Sequence, residues 1–381
     1  MMQDTLFRNA RVVLRYQVLH GDIRIEDGRI AAIEEGSSQG SAGEDMEGDW
    51  LLPGLVELHT DHLETHYAPR PGVRLNPVAA VQAHDAQIAC SGITTVFDAL
   101  RVGMDEDANL RSDDMRRLAD AIEEGAARDW LRADHYIHLR CEVSAPDVLH
   151  GFRLFENDDR VRLASMMDHT PGQRQFISLE TYRSYYQRKT GMSDDAFAEF
   201  VSKRLGQSAE WSDRNREELA GICNARGIAL ASHDDATVAH VAEAVEHHVR
   251  VAEFPTTLEA AHACRDAGLS VLMGGPNIVR GGSHSGNVSA RALAEKGLLD
   301  IISSDYVPLS MLHGAFKLAE MVEAISLPQA IAMVSANPAE AGGFEDRGEI
   351  AVGRRADLVR VRVDSDIPMV RSVWREGRRV A

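Results

Sequence analysis

Cysteine is scarce in this chain: Cys90, Cys141, Cys223 and Cys264 lie far apart among 381 residues, with no paired spacing. That argues against a disulfide framework or a zinc ribbon and for a reduced, cytoplasmic setting. Long apolar runs are missing as well. The first residues, Met1-Met2-Gln3-Asp4-Thr5-Leu6-Phe7-Arg8, carry no apolar stretch behind a basic segment, and nothing later is apolar for long enough to cross a bilayer. Neither secretion nor membrane insertion is expected. Positive charge is in deficit: 41 Lys and Arg against 59 Asp and Glu give a formal net charge of −18, with no basic tail to offset it. Such a chain repels polyanions, which excludes broad nucleic-acid binding. A small anionic substrate stays open, because a local arginine cluster outweighs a net field screened beyond about 8 Å at physiological salt.

What is present is a soluble, globular composition, 44% hydrophobic and 26% charged, long enough for a barrel of about 250 residues plus an accessory piece. Short alternating runs occupy the beginning, as in Ala10-Arg11-Val12-Val13-Leu14 and Asp22-Ile23-Arg24-Ile25, with Asp27-Gly28 as a turn. Similar runs return at the end, in Ala356-Asp357-Leu358-Val359-Arg360-Val361 and Ser372-Val373-Trp374. The two ends are expected to pair into one small β-sandwich-like domain, residues 1–52 with 344–381, around a middle domain of residues 53–343. In that middle, eight apolar or β-branched runs start at Leu55, Gly92, His135, Val161, Ile228, Val249, Leu269 and Leu298 and alternate with helical patterns. This predicts an α/β fold, a (β/α)₈ barrel of TIM type. The stretch from Thr170 to Arg226 is too long for a simple connection. Its charged pattern and clustered Tyr182, Tyr185 and Tyr186 suggest inserted helices forming a lid or an interface, and a homo-oligomer is expected.

Several of these runs end in a metal-ligand residue, on the face where barrel enzymes place their chemistry. Leu55 to Leu58 leads into His59-Thr60-Asp61-His62, Leu163 to Met167 into Asp168-His169, Ala229 to Ser232 into His233, Ile301 to Ser304 into Asp305, and Tyr136 to Cys141 into Glu142. Imidazoles with carboxylates suit a divalent ion, Zn²⁺ first, with Mn²⁺ or Fe²⁺ as alternatives. In a strand, His59 and Asp61 point to the same side. With Glu142 as a bridge the set predicts two ions, which activate water and stabilise charge on attacking and leaving oxygens. Asp305 is the natural general base. One histidine at a strand end is usually an ordinary hydrogen-bonded residue, and His20, His138, His150, His240, His247, His248, His262 and His313 read that way. His59 and Asp61, with His169, His233 and Asp305 following at strand ends in that order, are hard to produce as five independent accidents.

A phosphate substrate is suggested separately. The loop from Gly274 to Asn287 follows the seventh run, where barrels commonly bind phosphate. Its glycines let backbone N–H groups approach an anion, and Arg280, Ser283, His284, Ser285 and Asn287 supply donors; a plain connecting loop is the alternative. Arg70 and Arg74 follow the first metal strand and Arg174 follows His169, so all three could reach the same mouth, or serve as surface ion-pair partners.

The segment Leu52-Pro-Gly-Leu-Val-Glu-Leu-His-Thr-Asp61 resembles the first-strand motif of the amidohydrolase superfamily, which usually carries His-x-His. Here Asp61 replaces the second histidine, and Glu142 stands in for the usual bridging carboxylated lysine. Over nearly the whole chain the likeness is to the α-D-ribose 1-methylphosphonate 5-triphosphate diphosphatase branch. Pro69-Arg70-Pro71-Gly72-Val73, Asp168-His169-Thr170-Pro171-Gly172, Ser232-His233-Asp234-Asp235, Met273-Gly274-Gly275-Pro276-Asn277 and Ser303-Ser304-Asp305-Tyr306 carry it. The resemblance implies a cytoplasmic hydrolase of phosphonate catabolism that cleaves a phosphoric anhydride of a phosphorylated ribose and releases diphosphate. The rival enzyme is a C–N hydrolase of the same superfamily, a deacetylase or cyclic amidase; a catalytically silent binding subunit is the third reading.

Overall fold

The computed structural model describes residues 4–36, 42–104, 106, 108–174, 179, 180, 182, 183, 187, 191–283 and 286–381. Its centre is eight parallel strands: β6 (Leu55–Thr60), β7 (Ile93–Val102), β8 (Asp134–Glu142), β9 (Val161–Met167), β10 (Ala229–His233), β11 (Val251–Glu253), β12 (Ser270–Gly274) and β13 (Ile301–Ser303). They pair in sequence order. The ring closes just past β13, where the Asp305 N–H donates to the His59 carbonyl and the Asp61 N–H to the Asp305 carbonyl, both at 3.1 Å. Alternation sends Val56, Leu58, Phe97, Leu163, Ala231, Val251, Leu272 and Ile301 into the barrel interior, where Ala339 and Phe344 join them. The opposite faces meet the surrounding helices in the main core.

The chain ends form a second sheet, ordered β16-β15-β14-β5-β1-β2-β3 with β4 added beside β1. Here β1 is Thr5–Val13, β2 Val18–Glu26, β3 Arg29–Glu35, β4 Glu44–Asp45, β5 Trp50–Pro53, β14 Leu358–Asp364, β15 Ile367–Arg375 and β16 Arg378–Arg379. One side encloses its own core, with Phe7 against Trp374 at 4.6 Å. The other side sends Leu52, Val359, Val361 and Val373 into the barrel's core. Gly54 joins β5 to β6, and only glycine fits: a Cβ there would lie 2.2 Å from Thr94 Oγ1. Asp134, at the start of β8, fastens the C-terminal segment to the barrel through Arg347, Arg355 and Arg375, at 2.7, 2.8 and 3.3 Å.

Helix Pro77–Cys90 shows how local signals set the elements. Proline occupies its first turn, and the Asn76 side chain accepts from the Val78 and Ala79 N–H groups at 2.9 and 3.2 Å. Asn76→Ala is therefore expected to cost about 1 kcal/mol, read as a lower urea midpoint at unchanged slope. Of the insertion expected between Thr170 and Arg226, the described residues include a helix of 33 residues, Asp194–Arg226. Leu219, Ala220 and Cys223 near its end pack on the barrel, while Arg204 in its first half reaches over the strand ends to line the cavity there. Tyr182 packs against Phe197 and Phe200; Tyr185 and Tyr186 lie outside the described residues. Among the described residues no helix is long and apolar enough to cross a membrane.

Candidate active site

The C-terminal ends of the strands open into a cavity of about 820 Å³ whose wall includes His59, Asp61, Glu142, His169, His233 and Asp305. The chain turns sharply here: Asp234, Phe254 and Asp305, each just past a strand, have φ of 57°, 54° and 56°. The left-handed backbone costs about 1–2 kcal/mol per residue, and such strain collects where a fold aims functional side chains.

Three imidazoles are each held by a buried carboxylate. His59 Nδ1 lies 2.9 Å from Glu253 Oε1, His233 Nδ1 lies 3.0 Å from Glu253 Oε2, and His169 Nδ1 lies 2.6 Å from Glu142 Oε2. A carboxylate on Nδ1 fixes the proton there and leaves Nε2 as the ligating atom, the arrangement of metal-bound histidine. Burial lowers His59 and His233 to about 3, so both are neutral and their lone pairs are available. The Nε2 atoms of His169 and His233 lie 3.9 and 3.5 Å from Asp234 Oδ2, a buried oxygen with no hydrogen-bond partner. Burial pushes Asp234 up to about 7. Two imidazole nitrogens and an unsatisfied carboxylate oxygen, with ligand atoms all within 4.8 Å of one another, are a fitting donor set for a divalent transition ion.

Glu142 stands in the cavity wall, but its oxygens are engaged. Oε2 faces His169 Nδ1, and Oε1 accepts from the His169 N–H and from Ser144 Oγ, both at 2.9 Å. Burial opposes the charge, yet His169 overrides it and holds Glu142 below the ordinary carboxylate range. Asp61 meets Arg140 Nη1 at 3.2 Å. Burial, then Asp61, raises Asp305 to about 7. Beneath them Glu57 accepts from the N–H groups of His59 and Ser304 at 2.6 and 2.5 Å. One buried side chain thus pins both strands of the closing seam, and burial raises it to about 8.

Among the arginines, Arg280 lines the cavity together with Ser283. Arg74 is on the rim, donating to the carbonyl of Asn109, a wall residue. Arg70 is exposed and outside the wall. Arg174 is a correction: it does not reach the mouth, because its guanidinium is buried between Asp235 and Glu243 and neutralised there. His284 and Ser285 lie outside the described residues. Arg101, Arg140 and Arg204 also line the cavity; sequence reasoning missed all three, along with Glu253 and Asp234. Glu253 had a readable signal, since it ends the sixth barrel strand as His233 ends the fifth.

Residues 79–381 match the amidohydrolase family. The alpha-D-ribose 1-methylphosphonate 5-triphosphate diphosphatase of Escherichia coli (strain K12) is 47% identical over 376 residues, 98% of this chain and 100% of its own length. An imidazolonepropionase of Cupriavidus taiwanensis is 25% identical, over 94% of this chain and 90% of that protein. Among solved structures, the N-acetylglucosamine-6-phosphate deacetylase from Pasteurella multocida superposes with a TM-score of 0.66 at 14% identity, covering 99% of both chains. That last likeness is one of fold alone.

Proposed function

The chain belongs to the amidohydrolase family, and from that premise we propose that it hydrolyses α-D-ribose 1-methylphosphonate 5-triphosphate, releasing diphosphate, as a cytoplasmic enzyme of phosphonate catabolism. The observation that carries the reading is the pairing of the imidazole and carboxylate set with four arginines, Arg101, Arg140, Arg204 and Arg280, around one cavity. A neutral amide calls for no such array. A polyphosphate chain does, since each phosphoryl group presents oxygens that a guanidinium fork matches.

His169, His233 and Asp234 would hold one ion, and His59, Asp61 and Asp305 at the barrel seam a second, with Glu142 and Glu253 orienting the histidines. Zn²⁺ suits this donor set best. Bound divalent metal supplies water activation and neutralises phosphoryl charge. The protein's own part is to align the triphosphate on Arg280 and its neighbours. The carboxylate of Asp305 then accepts the proton of the attacking water, and the guanidinium groups stabilise the departing diphosphate.

A substrate panel tests this. With Zn²⁺ supplied, phosphorus NMR should show diphosphate and a ribose 5-phosphate product from the ribosyl triphosphate; inactivity on every ribosyl triphosphate, with acetate or ammonia released from an amide, overturns the reading. Arg280 is exposed and has no ion-pair partner among the described residues. Losing a hydrogen bond to a charged group costs about 1.5–3 kcal/mol, so Arg280→Ala should raise KM at least tenfold with metal content unchanged. An unchanged KM removes Arg280 from the phosphate site.

A further inference from the structure

Behind the cavity, on the outer side of the barrel wall, three more histidines face one another. His62 and His66 stand one turn apart on helix His62–Tyr67, and His84 projects from helix Pro77–Cys90. Ring centroids are 4.9 Å apart for His62 and His66, 6.0 Å for His62 and His84, and 5.9 Å for His66 and His84. Each ring has one buried nitrogen without a hydrogen-bond partner: His62 Nδ1, His66 Nε2 and His84 Nδ1. Leaving three buried polar atoms unsatisfied in one place costs roughly 1–3 kcal/mol apiece.

The other nitrogens show which lone pairs remain. His84 Nε2 donates to Asp98 Oδ1 at 2.7 Å, and His62 Nε2 to Gln87 Oε1 at 3.0 Å. The proton of each is therefore on Nε2, and Nδ1 presents a bare lone pair. An outer carboxylate or amide oxygen fixing the tautomer is what a metal-ligating histidine has behind it. Burial lowers the pKa of both His66 and His84, which favours the neutral, ligating form of each ring.

We propose that His62, His66 and His84 form a second, structural metal site for a divalent ion of imidazole preference, Zn²⁺ foremost. Zn–N bonds of about 2.0–2.1 Å would put three ring centroids roughly 5–6 Å apart around one ion, and the trio has that spacing. It is wider than the tightest clusters, whose ligand atoms all lie within 4.8 Å of one another. Closing on an ion asks a ring to turn about χ2, a soft torsion in histidine. The neighbouring His84–Asp98–His135 cluster is different, because its ligand atoms already hydrogen-bond to one another.

The site would fasten the helix that follows the first barrel strand to the helix behind it. Asp61 immediately precedes that helix, and its Glu64 and Thr65 line the cavity. An ion here holds those residues in place without touching substrate.

The test is metal content of the full-length protein after Zn²⁺ loading and removal of excess. His62→Ala and His66→Ala are each expected to bind one equivalent less than wild type. His233→Ala with His66→Ala should lose one equivalent more than His233→Ala alone, which separates this site from the cavity whatever the substrate is. Equal content in wild type and His66→Ala overturns the proposal. Should the variants fail to fold, anomalous diffraction from zinc-soaked wild-type crystals decides. A peak between the three rings is expected, and no peak there overturns it.

Discussion

Asp305→Asn is expected to cut kcat about a thousandfold, within the range of 10²–10⁴ typical of general acid–base catalysis, while leaving most of the metal bound. The substitution spares the seam, because the closing hydrogen bonds at Asp305 use its backbone N–H and carbonyl. Asparagine keeps a side-chain oxygen for the proposed metal contact and loses the ability to take a proton. Burial, and then the charge of Asp61, raises Asp305 to about 7. The contrast is His233→Ala. That variant removes a nitrogen proposed as a metal ligand and leaves one oxygen of the buried Glu253 without its histidine, so metal and turnover should both go. Steady-state rates beside elemental analysis decide between the two behaviours. Turnover of Asp305→Asn at the wild-type rate places the base elsewhere.

Much of the barrel was legible because each strand is short, apolar and followed by something polar. Leu55, Val161 and Ile228 were read as starts, and the strands begin at Leu55, Val161 and Ala229. His59, His169 and His233 were legible for the same reason: histidine at the end of an apolar run is conspicuous. Glu253 closes the sixth run in the same way but was passed over, since glutamate after Val251-Ala252 also looks like the start of a solvated loop. Only the fold turns it inward, where it serves two histidines at once.

The arginines were harder to place because a long side chain goes where charge directs it. Arg174 follows His169 by five positions, but the chain bends and two acids capture it. Arg204 arrives from a helix that no local pattern ties to the cavity, and Arg140 lies in a strand whose register with Asp61 is a tertiary fact. His62, next to Asp61 in sequence, turns toward Gln87 and His84. A helix beginning directly after Asp61 turns successive side chains by about 100° around its axis, so closeness in sequence to a cavity residue does not place a side chain in the cavity.

Asp98→Asn is expected to lower stability by about 3–5 kcal/mol, the cost of stripping one partner from a buried ion pair. Asp98 lies in β7 with no solvent exposure. Its Oδ1 accepts from His84 Nε2 and its Oδ2 from His135 Nδ1, each at 2.7 Å. Asp85, in turn held by Arg132 at 3.0 Å, faces His135 Nε2 at 3.3 Å. Burial opposes both charges, but the pairing prevails: Asp98 is lowered and His135 raised from their ordinary values. The signs then fix the pH dependence. The raised His135 stabilises fully below the unfolded imidazole value of about 6.5, and its contribution is lost as pH climbs through the folded value. The lowered Asp98 stabilises above the unfolded carboxyl value of about 3.9, and its contribution is lost as pH falls through the folded value. The deficit of Asp98→Asn should therefore be widest in the mildly acidic window between them and shrink toward alkaline pH. Urea unfolding across that range, with chelator present so that metal binding does not add to stability, measures it. A deficit that stays constant with pH means that His135 is neutral in the folded protein.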